Sequence, residues 1–246
     1  MEILRRQIEK QVHSLTGASL GVLDLDQPRG DAGLFGPESM VWEVHADFTA
    51  MMVGGISALL LQMLHPLALA GVWDHSTFRQ DMLGRLRRTS LFIAGTTYGG
   101  LHDAEQLIDK VRRIHLQVVG HAPDGRPYSA SDPELLTWVH VSEVSQFLAG
   151  YLRYVDPQLP MAEQDRYYRE VALIAELLGA QDVPKSAQAV DGYLQRMRPQ
   201  LLCDERTCEV VRLLHSAPMP SILAKPFGGL MMQAGVDLLP DWASDL

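Results

Sequence analysis

"FTAMMVGGISALLLQML", residues 48–64, decides how this chain folds. It carries no charged residue and approaches the roughly 20 residues that span a bilayer. Two structures give such a pattern: a membrane span, or a helix buried at the centre of an α-helical protein. Gly54-Gly55, Ser57 and Gln62 interrupt it, and His65-Pro66 follows directly. Proline lacks a donor and disfavours helix in the residue before it, so the helix ends or bends there. These interruptions favour the buried central helix. Membrane association stays as the minor alternative, with a monotopic contact ahead of a span.

Outward from this stretch the pattern is helical almost everywhere. Strand signals are weak, with few β-branched or alternating runs. Helices are expected over residues 1–15, then over 38–64 as one long helix kinked at Gly54-Gly55. Asp74 to Ser76 offer caps for a helix reaching about Gly84, and Arg85 opens another that runs to Gly99. Residues 102–119 read as an amphipathic helix ended by Gly120. Asp124-Gly125 is a turn. Asp132-Pro133-Glu134 is a strong helix start: aspartate as cap, proline at the first helical position, an acid in the first turn. That helix runs to about Tyr154. Others follow over 161–178, 186–197, 204–215 and 220–238. The expected fold is all-α, a single-domain helical bundle over residues 1–246.

At 246 residues the chain can bury a large core. Its net charge of −9 argues against a nucleic-acid or anionic-membrane binder, which needs basic surface. Cys203 and Cys208 do not form a disulfide framework, which suits a reducing compartment. The start, MEILRRQIEKQVHSL, has no apolar signal core, so the expected location is cytoplasmic.

Four clusters are candidates for chemistry. In "VRRIH", Arg112 and His115 are three apart and share a helix face. Val111, Ile114 and Val118 suggest that this face is partly buried. Burial and a neighbouring arginine both disfavour the imidazolium, leaving the neutral form that binds metals. In "RLRRTS", Arg85, Arg88 and Thr89 fall on one face and suit an anion such as a carboxylate. His65 ends a very apolar helix, and His75 precedes Ser76 as part of a cap. His140 and Glu143 lie three apart, so the carboxylate can orient the ring. Each also has a plain structural reading: a core histidine, a solvated basic face, a satisfied pair. The motifs GxGxxG, GxxxxGK[ST], HExxH and CxxCH are absent. Glu-x-x-His is absent too, which disfavours a di-iron bundle.

Six stretches recur in order: "DAGLFGPES", "LLLQMLHPLALAGVWDHSTF", "RLRRT", "VRRIHLQVVG", "DGRPYSASDPELLTWVH" and "FGGLMMQAGVDLLP". Together they resemble the haem-dependent oxygenases that include the MpaB-type oxygenases and the bacterial rubber oxygenases (latex-clearing proteins). The likeness is closest to their uncharacterised bacterial branch and covers about residues 31–240. It implies an all-α fold around non-covalent haem b, with His115 as axial iron ligand and Arg112 beside it. It places Arg85, Arg88 and Thr89 at the distal side, with Arg88 where the family has lysine. His65 and His140 belong to wider family motifs and are alternative ligands. The family's distal acid falls on Leu69, a departure that puts rubber cleavage itself in doubt.

The implied function is an oxygenase, an oxidoreductase using O₂ on a small apolar substrate such as an isoprenoid-like alkene. An electron donor of unknown identity completes it. The second reading is a non-catalytic helical protein that binds haem or a hydrophobic ligand. The missing distal acid favours the second, and the retained Arg85, Arg88 and Thr89 favour the first.

Overall fold

The computed structural model of the chain describes residues 31–216 and 225–243. The helix expected over 1–15 and the start of that over 220–238 lie outside them. The described helices are α1 (Met40–Ala46), α2 (Phe48–Gln62), α3 (Pro66–His75), α4 (Met82–Tyr98) and α5 (Leu101–His115). After a hairpin of β1 (Val119–His121) and β2 (Pro127–Ser129) come α6 (Pro133–Tyr154), α7 (Met161–Leu178), α8 (Ala187–Met197), α9 (Glu205–His215) and α10 (Lys225–Asp237). The fold is all-α, as the periodicity implies.

The apolar stretch forms α2 and lies at the centre of the molecule. Val53, Gly54, Ser57, Ala58, Leu60 and Leu61 are all buried. Among the described residues no single helix is long and apolar enough to cross a membrane. Only α1 and α2 taken together pass by length and composition, and they are bent by 93°. That bend corrects the expected helix over 38–64: the break lies at Asp47 and not at Gly54-Gly55. The Asp47 carboxylate accepts the Ala50 N–H at 2.7 Å and so caps a new helix.

Gly54 serves packing instead. A Cβ there would lie 2.7 Å from the Gln146 carbonyl oxygen and 3.1 Å from Phe147 Cα. On the facing helix a Cβ at Gly150 would lie 2.7 Å from the Ala50 carbonyl oxygen. The backbones of α2 and α6 therefore approach as only glycine allows. Ser57 donates to Gln146 Oε1 across the same seam at 2.8 Å. Around this pair Trp138, Tyr167, Val41, Val44, Leu61 and Leu148 form the main core.

Two further boundaries differ from expectation. No helix runs from Ser76 to Gly84; residues 66–75 are helical instead, with His65 as cap and Pro66 at the first position. Asp81 then caps an unbroken α4, accepting the Gly84 N–H at 2.8 Å. The amphipathic helix expected over 102–119 stops at His115, because residues 119–121 pair antiparallel with 127–129 around the Asp124-Gly125 turn. That hairpin docks on α3: Tyr128 donates to Asp74 Oδ2 at 2.6 Å, and His75 Nε2 meets the Val119 carbonyl at 3.2 Å.

Candidate functional site

Arg85, Arg88 and Thr89 come together on the first turns of α4. Arg85 is partly buried and borders a cavity of about 10 Å³ with Met63, Phe78, Met82, Val210 and Leu214. Its guanidinium reaches Ser76 Oγ at 3.4 Å. Burial, and then the neighbouring Arg88, lowers its pKa from 12.5 to about 10. An anion placed here would restore the cation's lost stabilisation. Arg88 is exposed, donating to Thr77 Oγ1 at 3.4 Å and lying 3.9 Å from Asp81 Oδ2. The Thr89 hydroxyl donates to the Arg85 carbonyl at 3.2 Å, so its proton is already engaged.

Gly99 and Gly100 link α4 to α5, and the two helices pack on each other. His115 ends α5 and is partly buried, and burial lowers its pKa. Its Nδ1 is enclosed with no hydrogen-bond partner; Trp42 Nε1 is the other such atom among the described residues. An enclosed, unbonded nitrogen costs about 1–3 kcal/mol, which a ligand or a bridging water would remove. The surroundings of His115 differ from expectation, since Ile114 is 51% exposed. The apolar positions that suggested burial do not all face inward: this end of the helix has a covered side and an open one. Arg112 is exposed and pairs with Asp109 at 3.6 Å. No hydrogen bond or ion pair joins Arg85, Arg88 or Arg112 to His115 among the described residues.

His65 serves a different purpose. Its ring lies 5.8 Å from that of Trp138, and its Nδ1 accepts the Ala68 N–H at 3.5 Å. A cap of this kind needs the neutral ring, and burial lowers the His65 pKa to about 4.

His140 lies in the interior among α1, α4, α6 and α7. It borders a cavity of about 20 Å³ with His45, Thr97, Glu143, Phe92 and Phe147. His45 is saturated: Nδ1 meets Thr97 Oγ1 at 2.9 Å, and Nε2 meets the Tyr167 hydroxyl at 3.1 Å. His140 and Glu143 are not bonded to each other, and neither has a hydrogen-bond partner among the described residues. The expectation of a satisfied pair is therefore corrected: i, i+3 spacing puts the groups on one face, but both project into the cavity. Burial lowers His140 to about 4 and raises the Glu143 carboxyl to about 7, although part of the Glu143 residue surface is open. A space of this size takes about one water, which these two groups are placed to bind. The sequence pointed to neither His45 nor this cavity; a histidine three before Phe48 on a short helix carries no separate signal.

Among the described residues no three of His, Cys, Asp and Glu converge as a chelating cluster. The candidate residues are separate imidazoles and guanidiniums, donor types that suit a macrocyclic cofactor with acidic side groups and not a chelated ion. No curated protein and no solved structure matches the chain. Residues 42–246 match the family described as ER-bound oxygenase mpaB/B'/rubber oxygenase, catalytic domain. With most of its length inside that match, the chain belongs to the mpaB/rubber oxygenase catalytic-domain family and is of the oxygenase class.

Proposed function

We propose that this chain is a haem b-dependent oxygenase, acting with O₂ on a small apolar substrate of isoprenoid-like type, with His115 as the axial ligand of iron. The observation that carries the choice of residue is the enclosed, unbonded Nδ1 of a neutral His115. Its two rivals are less suited. His65 already accepts a backbone N–H, and His140 opens on a space the size of one water. His115 borders neither small cavity, so a macrocycle it held would sit at the end of α5. When bound, haem supplies one-electron chemistry with O₂. The chain's own part is to ligate, to orient and to exclude water. Arg85, half-buried and weakly partnered, would pair with a propionate. Arg88 and Thr89, one turn on, are the candidate donors toward O₂, and Thr89 must release the Arg85 carbonyl to act. The space beside Arg85 has an apolar lining, but at about 10 Å³ it would take a hydrocarbon substrate only on opening. A cytoplasmic location and an external electron donor complete the reading.

The test is an absorption spectrum of the protein with added hemin, oxidised, reduced, and reduced under carbon monoxide. A Soret band that shifts at each step and is lost in His115→Ala is expected. No Soret band in the wild type would sink the proposal, and an unchanged spectrum in His115→Ala would move the ligand to another histidine.

A further inference from the structure

"CDERTC", residues 203–208, sets up α9. Asp204 is its N-cap: Oδ1 accepts the N–H of Arg206 at 2.9 Å and of Thr207 at 3.0 Å. The Thr207 hydroxyl lies 3.3 Å from the Asp204 N–H, which closes a capping box. A capping box has a geometric consequence for the residues around it. The residue before the cap and the fourth residue of the helix come together, the positions at which apolar side chains usually form a staple. Here those two positions are Cys203 and Cys208. Cys203 packs against the main core, while Cys208 is exposed. The cap thus brings a covered thiol and an open thiol side by side.

We propose that Cys203 and Cys208 are an oxidation site: a dithiol that closes to a reversible disulfide across the start of α9 when it meets a peroxide. The exposed Cys208 reacts first. Its sulfur attacks one peroxide oxygen, the O–O bond breaks, and a sulfenic acid and one water result. The Cys203 sulfur then attacks the Cys208 sulfur. The S–OH bond breaks, the S–S bond forms, and the second water leaves. Two thiols are oxidised by two electrons, and one hydrogen peroxide is reduced to two waters. The neighbouring Cys208 side chain and partial burial raise the Cys203 thiol, with burial the larger cause. This suits Cys203 to the resolving role and not to first attack.

The site connects to the rest of the fold. The Leu202 N–H donates to the Leu64 carbonyl at the end of the central helix, at 2.8 Å. Further along α9, Val210 and Leu214 border the Arg85 cavity. Closing the staple would add a covalent tie to the first turn of α9, which the capping box alone holds in the reduced chain.

The experiment uses the reduced full chain and hydrogen peroxide at equal concentration. The expected result is loss of both titratable thiols and an intact mass lower by two hydrogens. A single cross-linked peptide should join residues 203 and 208, and dithiothreitol should restore the starting mass. Cys203→Ser should instead trap Cys208 as a sulfenic acid, captured by dimedone. A wild type that gains oxygen on Cys208 with no cross-link would overturn the proposal. So would loss of thiols only through bonds between chains. These readouts need no haem, so their failure is distinct from failure of the oxygenase reading.

Discussion

The α2–α6 pair and the α4–α5 hairpin are built on opposite principles. In the first, glycines at 54 and 150 let two apolar helices touch backbone to backbone, and the polar Ser57 and Gln146 satisfy each other. In the second, among the described residues, Arg85 has one side-chain bond of 3.4 Å and His115 Nδ1 has no partner. The first region spends its sequence on close packing. The second leaves polar groups unpaired, which is where ligands bind. Stability should therefore respond to change in the first region and binding to change in the second.

The largest expected effect is on the tight seam. Gly54→Leu places a branched side chain where even a Cβ would meet the Gln146 carbonyl oxygen at 2.7 Å. It should abolish soluble folded protein, and Gly54→Ala should cost about 1–3 kcal/mol. Thermal melting measures the second. A neutral Gly54→Ala would break the contrast, since the seam would then have slack.

Glu143 comes next, because α6 faces the seam on one side and the polar cavity on the other. Its carboxyl titrates near 7 in the folded chain against 4.5 when free. Protonation thus favours the fold: the full stability is present below about 4.5 and is lost as pH rises to about 7. Glu143→Gln should remove that loss, by about 1–3 kcal/mol after allowance for partial exposure. The gain over wild type should grow from pH 5 to pH 8 in denaturant titrations; equal gain at both ends would show that the carboxyl is not strained. His140 and His45 act in the other direction. Their folded values of about 4 and about 3 lie below 6.5, so stability is full above 6.5 and falls as pH drops below it.

A smaller change in stability is expected for His115→Ala without haem, within about 1 kcal/mol, since the unbonded nitrogen leaves with the ring. Calorimetry of the apo chain checks this, and a larger loss would mean that the ring serves packing. The smallest effect belongs to Arg112→Ala. Its guanidinium and the Asp109 carboxylate are 56% and 65% exposed, so apo stability should move by less than about 0.5 kcal/mol. Hemin affinity of the same variant sharpens the assignment. An unchanged value would leave Arg85 as the propionate partner, and a tenfold loss would bring Arg112 into the site.

Much of the architecture was legible where short-range chemistry writes it. Asp132-Pro133 starts α6 as its sequence implies, with Asp132 accepting the Glu134 N–H at 2.9 Å. The ends of α7 and α9 fall as expected. The misses share a cause. Asp47 breaks the pattern between two helical segments that read as one, and the break expected at His65-Pro66 proves to be the cap of a further helix. The β-hairpin was hidden because residues 115–119 continue the amphipathic pattern of α5, and only the pairing of 119–121 with 127–129 sets the strand. In the candidate site the grouping of Arg85, Arg88 and Thr89 was legible from helical spacing. The environment of each residue was not.

By itself the sequence determined the helical class, most helix boundaries and the family. All of these depend on residues within a turn or two of one another, or on motif order. Only the tertiary structure decided which histidines are spoken for. His45 is saturated by Thr97 and Tyr167, His65 is spent on a cap beside Trp138, and His140 faces a cavity closed by four helices. A side chain's burial and partners come from helices distant in the chain, and those contacts set its protonation and its freedom to bind.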